Sequence, residues 1–221
     1  MRRSFFTIHL LGEEPAVPAE SPLLILPNHS SWWDGFFLYL LNLRLWRRVL
    51  YLMMLEQQLA RHPFFSRLGA YSIDPGRPHS VRQSLLYTRD LLRLEPGAPR
   101  LLVLFPQGEL LPWQVRPLGY KPGFLGLLQD SDPPVYAVQL GIRIELLQQQ
   151  RPQVFFEFSK PLRDSNAPGT LQEWDDRHAQ LLEQMSRRIL AGEEGRILLQ
   201  GRGSINTRWL RWRRRMDRRN R

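Results

Sequence analysis

The sequence predicts an α/β fold: a mixed, largely parallel sheet flanked by helices. Three observations carry this. Leu23–Leu26 and Leu101–Phe105 are apolar throughout and of strand length, as strands buried on both faces are. Helical stretches with one apolar face alternate with them. Each run also ends in a proline-containing turn bearing polar groups, Pro27-Asn28-His29 and Pro106-Gln107-Gly108-Glu109, at the strand ends where open α/β sheets place their sites.

Taken in order, Met1–Pro22 ends in a loop with Pro15, Pro18 and Pro22 that delivers the chain to Leu23. Pro27 stops the strand because it has no N–H for a ladder. Asn28, Ser30 and Ser31 offer side-chain oxygens to the unpaired N–H groups of a helix start. The apolar helix that follows, Gly35–Trp46, is too apolar for an ordinary surface helix, so it is buried or faces lipid. Val49–Met54 reads as a strand, Glu56–Arg61 as a short helix stopped by Pro63, and Ala70–Ile73 as a third strand leading into Asp74-Pro75-Gly76-Arg77-Pro78.

In His79–Leu94 the spacing of Val81, Leu85 and Leu92 gives one buried helical face. Leu101–Phe105 is the next strand, and Gly123–Leu128 a short helix. Val135–Leu146 and Val154–Phe158 read as strands, the second with polar flanks that suit a sheet edge. Leu171, Trp174, Leu181, Leu182, Met185 and Ile189 mark one face of a final helix ending near Gly192. The chain therefore divides into a single domain over 1–207, with its motif-bearing part at 22–140, and a basic Arg/Trp tail over 208–221.

Composition narrows the function. With no cysteine there is no disulfide and no thiolate metal site, and five scattered His do not form a metal cluster. The tail holds eight Arg and one Asp, so it carries +7 of the net +10. Trp209 and Trp212 lie among those arginines, a combination that suits an anionic membrane surface and, less well, nucleic acid. No stretch reaches the length of a transmembrane helix, and the apolar N-terminal run is broken by His9 and closed by Glu13 and Glu14, a poor secretion signal. The expected location is cytoplasmic, peripheral on the inner face of the membrane.

The chemistry centres on His29 and Asp34. An imidazole accepts a proton from a hydroxyl when a carboxylate holds its tautomer and stabilises its protonated form. On a regular helix five residues are about 140° apart, so the two meet only if His29 lies in the turn and Asp34 in the first turn of the helix. A His-x4-Asp spacing arises by chance in roughly one chain in five of this composition. Its meaning therefore comes from the strand and turn around it, and from the second stretch at Phe105–Glu109. There Gly108 permits close approach of a ligand.

Together these stretches resemble the glycerolipid acyltransferases, the family of 1-acyl-glycerol-3-phosphate and related lysophospholipid acyltransferases. The Asn-His-x-Ser-x-x-Asp motif is matched at Asn28, His29, Ser31 and Asp34, and the Phe-Pro-Glu-Gly-Thr-Arg motif in part at Phe105, Pro106 and Gly108. Gly69–Asp74 resembles the second motif, Gly119–Gly123 the Phe-Lys-x-Gly segment with Lys121, and Pro134–Val138 the last motif.

The resemblance implies transfer of a fatty acyl group from acyl-CoA or acyl carrier protein to a hydroxyl of a lysophospholipid, with no further cofactor and no metal. It implies His29 as general base, Asp34 as its partner, and Asn28, Ser31, Arg77, Phe105, Pro106, Gln107, Gly108, Glu109 and Lys121 at the substrate. A hydrophobic channel lined by Trp32, Trp33, Phe36 and Phe124 is expected beside them. The oxyanion donors are expected among backbone N–H groups of the His29 or Gly108 turn.

The departures fall where the family holds a phosphate. Pro75, Leu110 and Gln107 replace two arginines and a glutamate, so Arg77, Arg116 or Lys121 must supply the charge. Otherwise the acceptor is a glycosylated or neutral lipid. A basic membrane- or nucleic-acid-binding module without chemistry is the remaining alternative.

Overall fold

A computed structural model describes residues 1–93, 99–128 and 134–202; the arginine tail expected at 208–221 lies outside them. The strands are β1 (Thr7–Leu11), β2 (Leu23–Pro27), β3 (Val49–Leu55), β4 (Ala70–Ile73), β5 (Arg100–Val103), β6 (Tyr136–Glu145), β7 (Gln153–Phe158) and β8 (Arg196–Gln200). They form one sheet in the order β4-β3-β5-β2-β6-β7-β1-β8. From β4 to β6 every neighbouring pair is parallel, as are β7 and β1; β6–β7 and β1–β8 are antiparallel.

The apolar runs are central strands because both faces of the sheet are covered. Leu23 and Ile25 of β2, with Leu101 and Val103 of β5, face a cluster containing Phe37, Leu38 and Leu41 of α1 (Asp34–Leu41). Leu24, Leu26, Leu102 and Leu104 face the other way, onto Leu91 and Leu92 of α3 (Pro78–Arg93) and onto Trp174 and Leu182 of α4 (Leu171–Leu190). A short helix α2 (Glu56–Arg61) follows β3. The helix expected at 35–46 begins at Asp34 and widens into a π-helical turn at Asn42–Trp46. The short helix expected at 123–128 is a 3-10 helix, Pro122–Leu127.

Two expectations are corrected. β7 is not an edge: β1 lies parallel beside it, and the polar Glu157 on its flank is buried and paired with Arg188. The edge on that side is β8, a strand that the sequence does not announce because Arg196 and Gln200 enclose only three apolar residues. β1 is likewise hidden by Thr7 and His9, which occupy the core by bonding to each other across 2.5 Å.

The entry to β2 is held from below. Arg48 is buried, and its guanidinium donates to the carbonyls of Ser21 and Pro18, fastening the proline-rich loop. Asn42 brackets Arg48 in turn, accepting its N–H at 2.9 Å and donating to its carbonyl at 2.7 Å. Gly69 makes the turn into β4 at φ +88°, where a Cβ would lie 1.9 Å from the Leu50 carbonyl oxygen. Gly69→Ala is therefore expected to lower the unfolding free energy by about 3 kcal/mol in urea titration, with the β4 edge displaced first.

Candidate active site

The site is built where β2 stops and β6 continues. Asn28 N–H donates to the Leu140 carbonyl at 3.2 Å. Its side chain accepts the Ile142 N–H at 2.7 Å and donates to the Ile142 carbonyl at 3.1 Å. The amide thus mimics one more residue of strand pairing and fixes the point at which the chain turns.

Beyond that clamp the turn wraps a carboxylate. Asp34 Oδ2 accepts Ser30 N–H at 2.9 Å, Ser31 N–H at 3.0 Å and His29 Nδ1–H at 2.8 Å. Asp34 is fully buried, whereas the His29 side chain keeps 25% exposure. A buried carboxylate is costly without donors, each worth roughly 1.5–3 kcal/mol; those on Oδ2 tie the turn together, while Oδ1 is buried without a partner among the described residues. With its proton on Nδ1, the ring presents the Nε2 lone pair, which meets no protein donor among the described residues. Phe105 stacks against the ring at 4.0 Å between centroids.

The second stretch is laced to the first through the His29 backbone. Gln107 Oε1 accepts the His29 N–H at 2.7 Å, and Leu111 N–H donates to the His29 carbonyl at 2.9 Å. Gly108, at φ +74°, closes a turn onto the Phe105 carbonyl. A Cβ there would sit 3.4 Å from the Lys121 stem, so Lys121 crosses the turn, anchored by its N–H on the Pro106 carbonyl at 2.8 Å. Its ammonium has no carboxylate within ion-pair distance among the described residues.

A base oriented by a buried carboxylate, beside a cation-bearing glycine turn, can deprotonate a hydroxyl next to an anionic group. A family model described as Acyltransferase matches residues 9–141. The chain belongs to this acyltransferase family. No curated protein matches the chain. Among solved structures, the crystal structure of the 1-acyl-sn-glycerophosphate (LPA) acyltransferase PlsC from Thermotoga maritima aligns with a TM-score of 0.50 and 14% identity, over 82% of this chain and 72% of that one. At that identity the likeness is one of fold.

Several expected site residues of the acyltransferase sit differently from their sequence reading. Asn28 and Gln107 are buried and bonded to backbone groups of the protein, and Ser31 Oγ accepts the Trp33 N–H at 3.0 Å. These three therefore shape the turn. Arg77 is exposed and paired with Asp74 at 2.9 Å, on the loop after β4. That strand lies three spacings from β2, about 14 Å, and Asp74 is the partner that Arg77 meets there. Glu109 is exposed beside Gly108.

The aromatic channel divides. Trp32, Trp33 and Phe36 touch one another and continue to Phe64 and Phe65. Phe124 packs against Trp174 and Tyr120 on the opposite face of the sheet and cannot line a channel with them. The oxyanion expectation also narrows, because the N–H groups of residues 28 to 31 all have protein acceptors.

Asp175 and His178 of α4 are the polar residues that sequence reading passed over. Asp175 accepts the N–H groups of Leu118, Gly119 and Tyr120, at 2.8, 2.6 and 3.3 Å, and so holds the segment that leads to Lys121. His178 Nε2–H donates to the Leu140 carbonyl at 3.1 Å, the same oxygen that receives Asn28, while its Nδ1 accepts the Tyr120 hydroxyl at 2.6 Å. The signal was their phase: His178 falls on the apolar stripe between Trp174 and Leu181.

Burial pushes the His178 pKa down from 6.5 to about 4, so the folded chain holds this ring neutral. The unfolded chain takes up the proton near pH 6.5. The linked stability is therefore complete above pH 6.5 and is lost as pH falls toward 4, up to about 3 kcal/mol. His178→Gln should remove most of this acid-dependent slope in urea titrations between pH 6.5 and 4, and should lower stability at neutral pH.

Proposed function

We propose that the chain transfers a fatty acyl group from a thioester, acyl-CoA or acyl carrier protein, to a hydroxyl of a lysophospholipid, with His29 as general base. The observation that carries this is the buried Asp34 carboxylate 2.8 Å from His29 Nδ1, which leaves Nε2 as a base with no protein partner among the described residues. The acceptor hydroxyl gives its proton to Nε2 as its oxygen bonds to the thioester carbonyl carbon. The tetrahedral intermediate then expels the thiolate by breaking the C–S bond, and the imidazolium returns the proton to sulfur. Ester and thiol are the products, and no enzyme nucleophile is needed.

The oxyanion would be met at the Gly108 turn, where the N–H groups of Glu109 and Leu110 donate to no protein acceptor among the described residues. Lys121, drawn across the same turn, is the cation for an acceptor phosphate. A 1-acyl-glycerophosphate, the acceptor named for the Thermotoga maritima structure, fits this arrangement. Membrane association follows from the lipid nature of both reaction partners.

With purified protein and labelled acyl-CoA, His29→Ala should reduce ester formation by about 10²–10⁴-fold. Wild-type silence with both CoA and carrier-protein donors would sink the reading. Lys121→Gln should raise KM for lysophosphatidate by about 10–100-fold, the loss of one charged hydrogen bond, with little change for a neutral lysolipid. Equal effects on both acceptors would instead favour the glycosylated or neutral acceptor.

A further inference from the structure

The side of the sheet that carries His29 also gathers four arginines. β6 runs past Pro27 from Leu140 to Glu145, β7 starts opposite Glu145 at Gln153, β1 starts beside β7, and β8 ends at Gln200 opposite Thr7. Segments just beyond those ends therefore lie on the side to which the His29 turn opens. They contain Arg2 and Arg3 before β1, Arg151 before β7 and Arg202 after β8.

The segments are tied to one another through backbone groups. Arg202 N–H donates to the Arg2 carbonyl at 2.8 Å, and Arg151 Nη1 donates to the carbonyls of Arg2 and Arg3 at 3.2 and 3.3 Å. Arg151 Nη2 is buried and has no acceptor among the described residues. Among the described residues none of the four is paired with a carboxylate. Three of them, Arg2, Arg3 and Arg202, line an open cavity of about 510 Å³ together with Ser4 and Gln200. Guanidinium groups without carboxylate partners are neutralised best by phosphate oxygens, which they bind in bidentate geometry.

Exposed apolar groups stand on the same side. Leu146, 71% exposed, and Leu147 open the loop that joins β6 to β7, and Trp32 is 58% exposed beside His29. The two kinds of surface meet: Phe5, which follows Arg2 and Arg3, packs edge-on against Trp33 at 5.1 Å, and Trp33 packs against Trp32 at 5.4 Å. Adjacent guanidinium, indole and leucine side chains are the composition of a surface that settles at headgroup depth. Isolated leucines offer nothing to nucleic acid bases, so the bilayer is the better match.

We propose that this arginine-rimmed edge, independently of the C-terminal tail, docks the acyltransferase on an anionic phospholipid bilayer. Docked so, the His29 turn faces the membrane surface. The choice of partner rests on the lipid-acceptor reading above, but its test needs no turnover.

Full-length protein would be sedimented with phosphatidylcholine vesicles, with and without phosphatidylglycerol, and titrated with a duplex oligonucleotide. R2Q/R3Q/R202Q, which keeps the backbone bonds, should partition onto anionic vesicles about 100-fold more weakly. L146Q/L147Q should weaken binding to both kinds of vesicle. His29→Ala should bind as the parent does, which separates this result from failure of the transfer assay. A full-length variant with the eight arginines from Arg208 to Arg221 changed to Gln should retain anionic-vesicle binding that the rim substitutions then abolish.

The proposal is overturned if R2Q/R3Q/R202Q, shown folded by its circular dichroism melt, binds anionic vesicles as the parent does. It is also overturned if the tail variant alone loses all binding, or if the parent binds the oligonucleotide but no vesicle.

Discussion

A single carboxylate oxygen organises the centre of this protein. Asp34 Oδ2 gathers two backbone N–H groups and the His29 ring inside 3.0 Å, at a place closed to water. A buried carboxylate without such donors would cost several kcal/mol, so the chain between His29 and Asp34 must curl round the oxygen whenever α1 is docked. Orientation of the imidazole is thus a by-product of satisfying the carboxylate. Phe105, stacked at 4.0 Å, steadies the ring further, and its outer nitrogen keeps no protein partner among the described residues.

That arrangement stands on strands of unequal length. β6 outlasts β2, and Asn28 uses the surplus by bonding to both backbone groups of Ile142. From the other side Gln107 and Leu111 take up both backbone groups of His29. α4 completes the frame from beneath the sheet, with His178 on the Leu140 carbonyl and Asp175 on the segment before Lys121. Four separate parts of the chain therefore converge within a few residues of the dyad. A site supported this way loses geometry gradually when one support weakens, through the hydrogen bonds that remain.

The motif departures acquire a physical meaning in this frame. Gln107, where the family pattern has glutamate, accepts a backbone N–H with its carbonyl oxygen. A neutral amide does this without placing a second buried negative charge near Asp34. Leu110 is exposed, so the arginine of the pattern leaves no buried gap behind it. The positive charge near the glycine turn then comes from Lys121, whose stem lies against Gly108. Arg77, the arginine nearest the second motif in sequence, is engaged by Asp74 at the far edge of the parallel strands.

By itself the sequence determined the α/β class, the central strands and the meeting of His29 with Asp34. Strands buried on both faces must be apolar throughout, and a strand ended by proline before helix-capping residues has few ways to continue. These are local constraints, written in consecutive residues. Only the tertiary structure decided which strands lie at the edges, which face of the sheet receives Phe124, and what Asn28, Gln107, Asp175 and His178 bond to. Those bonds join residues as far apart as Asn28 and Ile142, and nothing in either neighbourhood encodes its partner. The rim of Arg2, Arg3, Arg151 and Arg202 has the same origin: strand ends distant in sequence become neighbours only once the register of β1, β7 and β8 is set.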